Sequence, residues 1–504
     1  MASNDKILNK ETATQLGIEK SSRPVKVLQF GEGNFLRAFI DWMIYEMNKK
    51  DLFNGNVSIV QPLEHGMIDK MSEQDYLYTL YLRGVQNGEV RVEKNIIDVV
   101  ERGLNVYRDF EDYLKEADNP DLKLIVSNTT EAGIVYRGED ESTDKPPVSF
   151  PAKLLLLLKR RYETFGSDPQ KALMIMPCEL IDRNGDNLKK VLKRLAEKWY
   201  PEAADFTKWL TDTNVYFNTL VDRIVSGYPR EEAEALCSEC GYTDNLIDTG
   251  EIFHFLVIEA PERYQKELPL VQAGLDVKWT DDMTPYRTRK VRILNGAHTM
   301  TVLAAYLCGL ETVKDCMDSE IVSAYIKKGI YEEIIPTLDL PDDELNFFGG
   351  AVLERFSNPY IRHLLLSISL NSVSKFKTRV LPSLLEFTTR KGSVPELLSF
   401  SLAALVLFYK GQKRLETSLS AVRAVDGAVY EVKDSPEVLD DFFSLWSKYG
   451  DNPDCNEFIK EVLGREVYWE EDLNQVPGLT DKVASYLDAM LKDGVEATMK
   501  KLVS

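Results

Sequence analysis

The sequence predicts an α/β domain built on a mainly parallel sheet over residues 1–283, followed by a mostly α-helical domain over residues 284–504. Three observations carry that reading. The chain has 504 residues, more than one ordinary core accommodates, so two domains are expected. Short apolar runs separated by helical stretches recur through the first half, as in buried parallel strands joined by crossover helices. From about Thr284 onward those runs fade and bulky residues recur at helical spacing.

The elements follow in chain order. After a polar leader, Val25–Phe30 (VKVLQF) reads as a strand that ends on Gly31, and Phe35–Met47 carries helical spacing. Val57–Val60, Leu122–Val126 and Ala172–Met176 read as further buried strands, the last ahead of a loop holding Asn184-Gly185. A short polar segment, Asp281–Pro285, marks the boundary between the domains. Helical patterns then run over Lys290–Cys308, Glu320–Ile334, Pro359–Val373 and Pro395–Tyr409.

Composition narrows the partners. Hydrophobic residues make up 44% and charged residues 28%, the mix of a folded globular protein. A net charge of −20 argues against nucleic acid or an anionic membrane as partner, so an anionic ligand requires a local basic pocket. Met1–Lys10 lacks the apolar core of a secretory signal, and the longest apolar run, Leu397–Tyr409, falls short of the roughly 20 residues a membrane span needs. A cytoplasmic protein with its six cysteines reduced is expected.

Gly31-Glu32-Gly33-Asn34-Phe35-Leu36 supplies the first two glycines of a dinucleotide loop between a strand and a helix, with Leu36 in place of the third. This makes the first domain Rossmann-like. A carboxylate usually follows the second strand to bond the ribose; here that place falls on Gln61, with Glu64 as the nearby alternative. No arginine follows to receive a 2′-phosphate, which favours NAD over NADP.

Lys290, Asn295 and His298 lie on one helix-like stretch. At helical spacing Asn295 lies roughly 140° and His298 roughly 80° from Lys290, so all three can face one cavity. A lysine can protonate a developing alkoxide, an amide can bond that oxygen, and a histidine can fix the substrate. Arg287, Arg289 and Arg292 flank the lysine, and like charge favours the neutral amine that such chemistry needs. By itself the spacing also suits a solvated basic helix start with a structural histidine.

The Lys-x-x-x-x-Asn-x-x-His pattern resembles that of the polyol-specific long-chain dehydrogenases, the mannitol dehydrogenase family. The resemblance extends over nearly the whole chain, through Gly31–Ala38, Ser127–Glu131, Asn184-Gly185, Val221–Ile224 and Asn371–Lys375. It implies a metal-independent oxidoreductase in which Lys290 is the general acid/base, and Asn184 and Asn295 hold the carbonyl oxygen. His298, Asp222 and Lys375 would position the substrate, and Glu131 would link the lysine to solvent. Gly31, Gly33, Asn34, Phe35, Gln61, Asn128 and Thr130 would hold the cofactor. One departure points to a sugar acid: Arg287 stands where polyol enzymes of the family carry a glutamate, and a guanidinium can grip a carboxylate.

Two other readings compete. Cys237 and Cys240 have metal-ligand spacing, but a single C-x-x-C lacks the second pair of a structural zinc site. A non-catalytic sensor of a sugar acid or dinucleotide would not need Lys290 and Asn295, which are both present.

Overall fold

Val25–Phe30 is apolar on both faces, and the structure buries both. Val27 packs with Phe39, Met43 and Met47 on one side, while Leu28 and Phe30 pack with Leu154, Leu158 and Leu188 on the other. The same two-residue period divides Ile59 from Val60 and Val126 from Ile125. A sheet apolar on both faces needs helices on both, and the first unit is this three-layer arrangement. It is seen in a computed structural model that describes residues 6–130 and 132–504.

The main sheet has six strands, numbered here within that sheet: β1 (Val25–Phe30), β2 (Asn56–Gln61), β3 (Val100–Asn105), β4 (Leu124–Ser127), β5 (Met174–Pro177) and β6 (Val215–Tyr216). All neighbours pair parallel, in the order 3-2-1-4-5-6. The strand order reverses between β1 and β4, where doubly wound sheets open a crevice for a ligand. After β1 the chain is helical over Asn34–Leu36, makes a π turn at Arg37–Asp41, and continues as α1 (Trp42–Lys49). The 16-residue helix α2 (Asn184–Trp199) follows β5. Two smaller three-stranded sheets, which the sequence reading did not anticipate, complete this unit.

Contacts divide the chain into two units, one reaching to Met283 and the other comprising Val85–Glu89 and Thr284–Ser504. In the second, α3 (Thr284–Arg289) runs through a π turn at Lys290–Asn295 into α4 (Gly296–Leu307). There follow α5 (Asp342–Phe356), α6 (Ser372–Arg379), α7 (Leu381–Lys391) and α8 (Glu396–Phe408). α8 is apolar almost all round and packs on α4 in the core. No helix of the described residues is long and apolar enough to cross a membrane.

Two expectations for this half need correction. Pro359–Val373 is not one helix: Leu365–Ile368 forms a single short turn, and Asn371, in left-handed conformation, starts α6. The backbone before it is extended because His363 O accepts from Val313 N at 3.0 Å and Leu364 bridges Thr312. The half also holds an antiparallel sheet of Gly411–Arg414, Leu419–Val422 and Val429–Val432.

Candidate active site

The chain leaves β1 through Gly31, whose N–H donates to Val60 O at 3.0 Å and whose φ of 116° lies where side chains are rarely tolerated. A β-carbon there would come within 3.2 Å of the backbone oxygen of Asn128, at the end of β4. Gly33 caps the following helix, and a β-carbon on it would meet nothing within 4 Å. The first glycine thus serves the protein's own packing. The second keeps space open before a helix N-terminus, where N–H groups and dipole suit a phosphate.

Buried groups fix this loop from behind. Arg37 Nη2 donates to Asn34 Oδ1 at 2.6 Å and Nη1 to Leu246 O at 2.7 Å, while Phe35 stacks on Phe39. Arg37 also faces Asp248 at 3.7 Å, and Tyr78 Oη donates to Asp41 at 3.2 Å. Burial pushes the carboxyls of both Asp41 and Asp248 up to about 7. Beyond β4, Glu179 ties the strand end to its neighbour by accepting from Ser127 Oγ, Thr129 N and Thr129 Oγ1. Thr130 takes a φ of 135°, a costly conformation for a β-branched residue and a common one beside ligands. Glu131 lies outside the described residues.

Two of the predicted site residues are bonded into the fold. Gln61 ends β2 as expected, but its amide is buried and spent on the loop: Nε2 donates to Leu63 O and Glu64 O, and Oε1 accepts from Ile68 N. These three bonds brace the turn, and Glu64 is exposed. Asn184 is fully buried; Nδ2 donates to Pro177 O at 2.9 Å and Thr219 Oγ1 at 3.0 Å, and Oδ1 accepts from Gly185 N and Thr219 N. With both amide hydrogens engaged, it anchors the N-terminus of α2. Asp222 is buried at the end of strand Asn218–Asp222.

In the second unit, Lys290 and Asn295 bound a π turn. The sequence reading assumed α spacing, which holds residues five apart roughly 140° from each other. The wider π turn, bonded i to i+5, brings them toward one face, and such turns favour functional sites. Two of the flanking arginines are engaged by other residues, and the third is exposed. Arg289 is buried over the Phe348 ring and lies 3.8 Å from Glu344, Arg292 donates to Ser383 Oγ at 2.9 Å, and Arg287 is exposed.

Asn295, unlike Asn184, is half-buried and its amide pairs with no described residue. His298 lies with its ring 4.2 Å from that of Phe356 and 5.2 Å from that of His363. Its Nδ1 is shut off from water and has no hydrogen-bond partner among the described residues. Burial, with His363 beside it and the positive charges of Arg355, Arg379 and Lys375, holds His298 well below the usual histidine range, so it is neutral near pH 7. Lys375 on α6 donates to Ile368 O at 2.8 Å, and burial and the nearby Arg379 lower its pKa. Arg379, Arg355 and His363 were not singled out in the sequence. The Lys375-x-x-x-Arg379 spacing, which stacks two cations on one helical face, was the available signal for the first. A lysine, a free amide and a neutral imidazole in positive surroundings suit proton transfer at a carbonyl or alcohol.

Cys237 and Cys240 lie on helix Ala233–Cys240, with Cys240 Sγ 3.0 Å from Tyr81 Oη, and all six cysteines are free thiols.

A 3-2-1-4-5-6 sheet with a glycine loop at its first crossover, followed by a helical unit carrying the lysine motif, defines a Rossmann-type oxidoreductase acting on CH–OH groups. The chain belongs to the mannitol dehydrogenase family: the mannitol dehydrogenase Rossmann domain matches residues 25–272, and the mannitol dehydrogenase C-terminal domain matches 282–491. It is 45% identical to an altronate oxidoreductase of Enterobacter sp. (strain 638) over 95% of this chain and 97% of the relative. With the altronate oxidoreductase of Yersinia enterocolitica identity is 44% at the same coverage. Among solved structures, mannitol 2-dehydrogenase of Pseudomonas fluorescens, in ternary complex with NAD and D-mannitol, aligns with a TM-score of 0.66 and 21% identity over 98% of this chain and 99% of that one. A D-sorbitol dehydrogenase in substrate-free form aligns with a TM-score of 0.76 and 21% identity over 98% of this chain and 100% of that one. At that identity the likeness is one of fold.

Proposed function

We propose that this chain interconverts D-altronate and its keto form, D-tagaturonate, with NAD as cofactor, in hexuronate breakdown. The observation that carries this is the near full-length identity of 44–45% to altronate oxidoreductases. Gly31, Gly33, Asn34, Phe35, Asn128 and Thr130 would hold the dinucleotide, for which the open space at Gly33 leaves room. When bound, the reduced nicotinamide supplies hydride. Glu32 favours NAD over NADP: its carboxyl and the Gln61 amide crowd Gly66 after β2, where a 2′-phosphate would meet negative charge.

In the reductive direction Lys290 gives a proton to the carbonyl oxygen as negative charge develops there, and the Asn295 amide donates a hydrogen bond to the same oxygen. By the family resemblance His298 and Lys375 position the substrate, and Asp222 and Arg287 are assigned supporting contacts to it. Asn184 contributes by bracing its loop. No metal takes part in this reading, so chelator treatment should leave the rate unchanged.

Purified protein mixed with NADH and either D-tagaturonate or D-fructuronate tests the assignment through the fall in nicotinamide absorbance. Faster oxidation with D-tagaturonate is expected. Preference for D-fructuronate would change the substrate, and no oxidation with either would overturn the reaction.

A further inference from the structure

We propose that Arg379 grips the substrate's carboxylate and thereby sets a sugar acid apart from a neutral sugar; this rests on the reaction proposed above. Arg379 ends α6, is half-buried, and makes no hydrogen bond or ion pair with any described residue. Other inward-turned arginines of this unit are engaged. Arg289 faces Glu344, Arg292 bonds Ser383, Arg423 pairs with Asp426 and Glu311, and Arg465 pairs with Asp441. A cation drawn out of water without a counter-ion is costly, and burial weighs against the charge of Arg379. An incoming anion would relieve that cost.

The position fits the site. The backbone oxygen of Arg379 lies 3.1 Å from where a β-carbon on Gly296 would stand, so the end of α6 rests directly on the residue after Asn295. Lys375 lies one turn earlier on the same helix, and Arg355, Arg379 and Lys375 all bring positive charge to His298. The nearby carboxylate on the other side of Lys375, Asp434, is engaged by Tyr409 Oη and Val373 N. A protein of net charge −20 thus places a local excess of positive charge beside its acid/base motif. Among the described residues there, Arg379 combines partial burial, the lack of a described partner and a planar fork that matches two carboxylate oxygens. Arg287 is exposed, and water screens its pull.

The test compares NADH-dependent reduction of D-tagaturonate with that of D-tagatose, which carries a hydroxymethyl group in place of the carboxylate, in wild type, Arg379→Met and Arg379→Lys. The preference for acid over neutral sugar should fall about 100-fold in Arg379→Met and about tenfold in Arg379→Lys, mainly through KM for the acid, with KM for NADH unmoved. A wild type idle on D-tagaturonate would remove the reaction and this proposal with it. An active wild type whose Arg379→Met variant keeps the preference would remove the proposal alone. Equal loss on both sugars would also overturn it, marking a purely structural arginine.

Discussion

Gly31 and Asn128 meet across the switch point of the sheet: a β-carbon on Gly31 would stand 3.2 Å from the backbone oxygen of Asn128. Gly33, two residues on, has an ordinary φ of −68° and open space around it. The two glycines therefore answer substitution differently. Gly31→Ala should lose about 1–2 kcal/mol of stability from its left-handed backbone and tight contact. Gly33→Ala should stay within about 0.5 kcal/mol of wild type, yet raise KM for NADH at least about tenfold, because its methyl group occupies the approach to the helix N-terminus. Thermal denaturation and NADH titration of both variants separate the effects.

The two asparagines divide in the same way. Asn184 has both amide hydrogens and its oxygen paired inside the protein, whereas Asn295 pairs with no described residue. Asn184→Ala should cost about 2–4 kcal/mol of stability, since it leaves several buried backbone groups unpaired. Asn295→Ala should leave the melting temperature within a degree or two and lower kcat about 100-fold. A large kcat loss in a stable Asn184→Ala protein would return that residue to direct contact with the substrate.

One guanidinium, Arg37, serves two buried carboxyls, Asp41 and Asp248, behind the cofactor loop. Their ordinary value is 3.8 and burial lifts both to about 7. The folded protein therefore keeps protons that the unfolded chain releases between those values, and stability falls as pH rises through that window. Asp41→Asn removes one of the two negative charges and leaves Arg37 to Asp248. Relative to wild type it should gain about 1–3 kcal/mol at pH 8 and much less at pH 4. Denaturant unfolding at the two pH values measures this, and a difference that does not change with pH would refute it.

Much of this architecture was legible because it is written locally. The strand Val25–Phe30, its glycine turn and the helix behind it follow from consecutive residues, and so does the spacing of Lys290, Asn295 and His298. What was not legible depends on distant partners. Asn184 is consumed by Thr219, 35 residues away, and His363 by Val313, which stops the helix expected over Pro359–Val373. The π turn was missed because KVRILN carries nothing but ordinary helical propensity. Four-residue strands such as Leu419–Val422 are too short to show a period. Arg379 needed knowledge of which arginines already had partners.

In the proposed reaction Lys290 transfers the proton. Lys290→Met, assayed for NADH-dependent reduction of D-tagaturonate alongside NADH binding by fluorescence, tests it most directly. Its kcat should fall about 100- to 10,000-fold, with NADH affinity within about twofold of wild type. A variant that binds NADH normally and turns over within tenfold of wild type would contradict it.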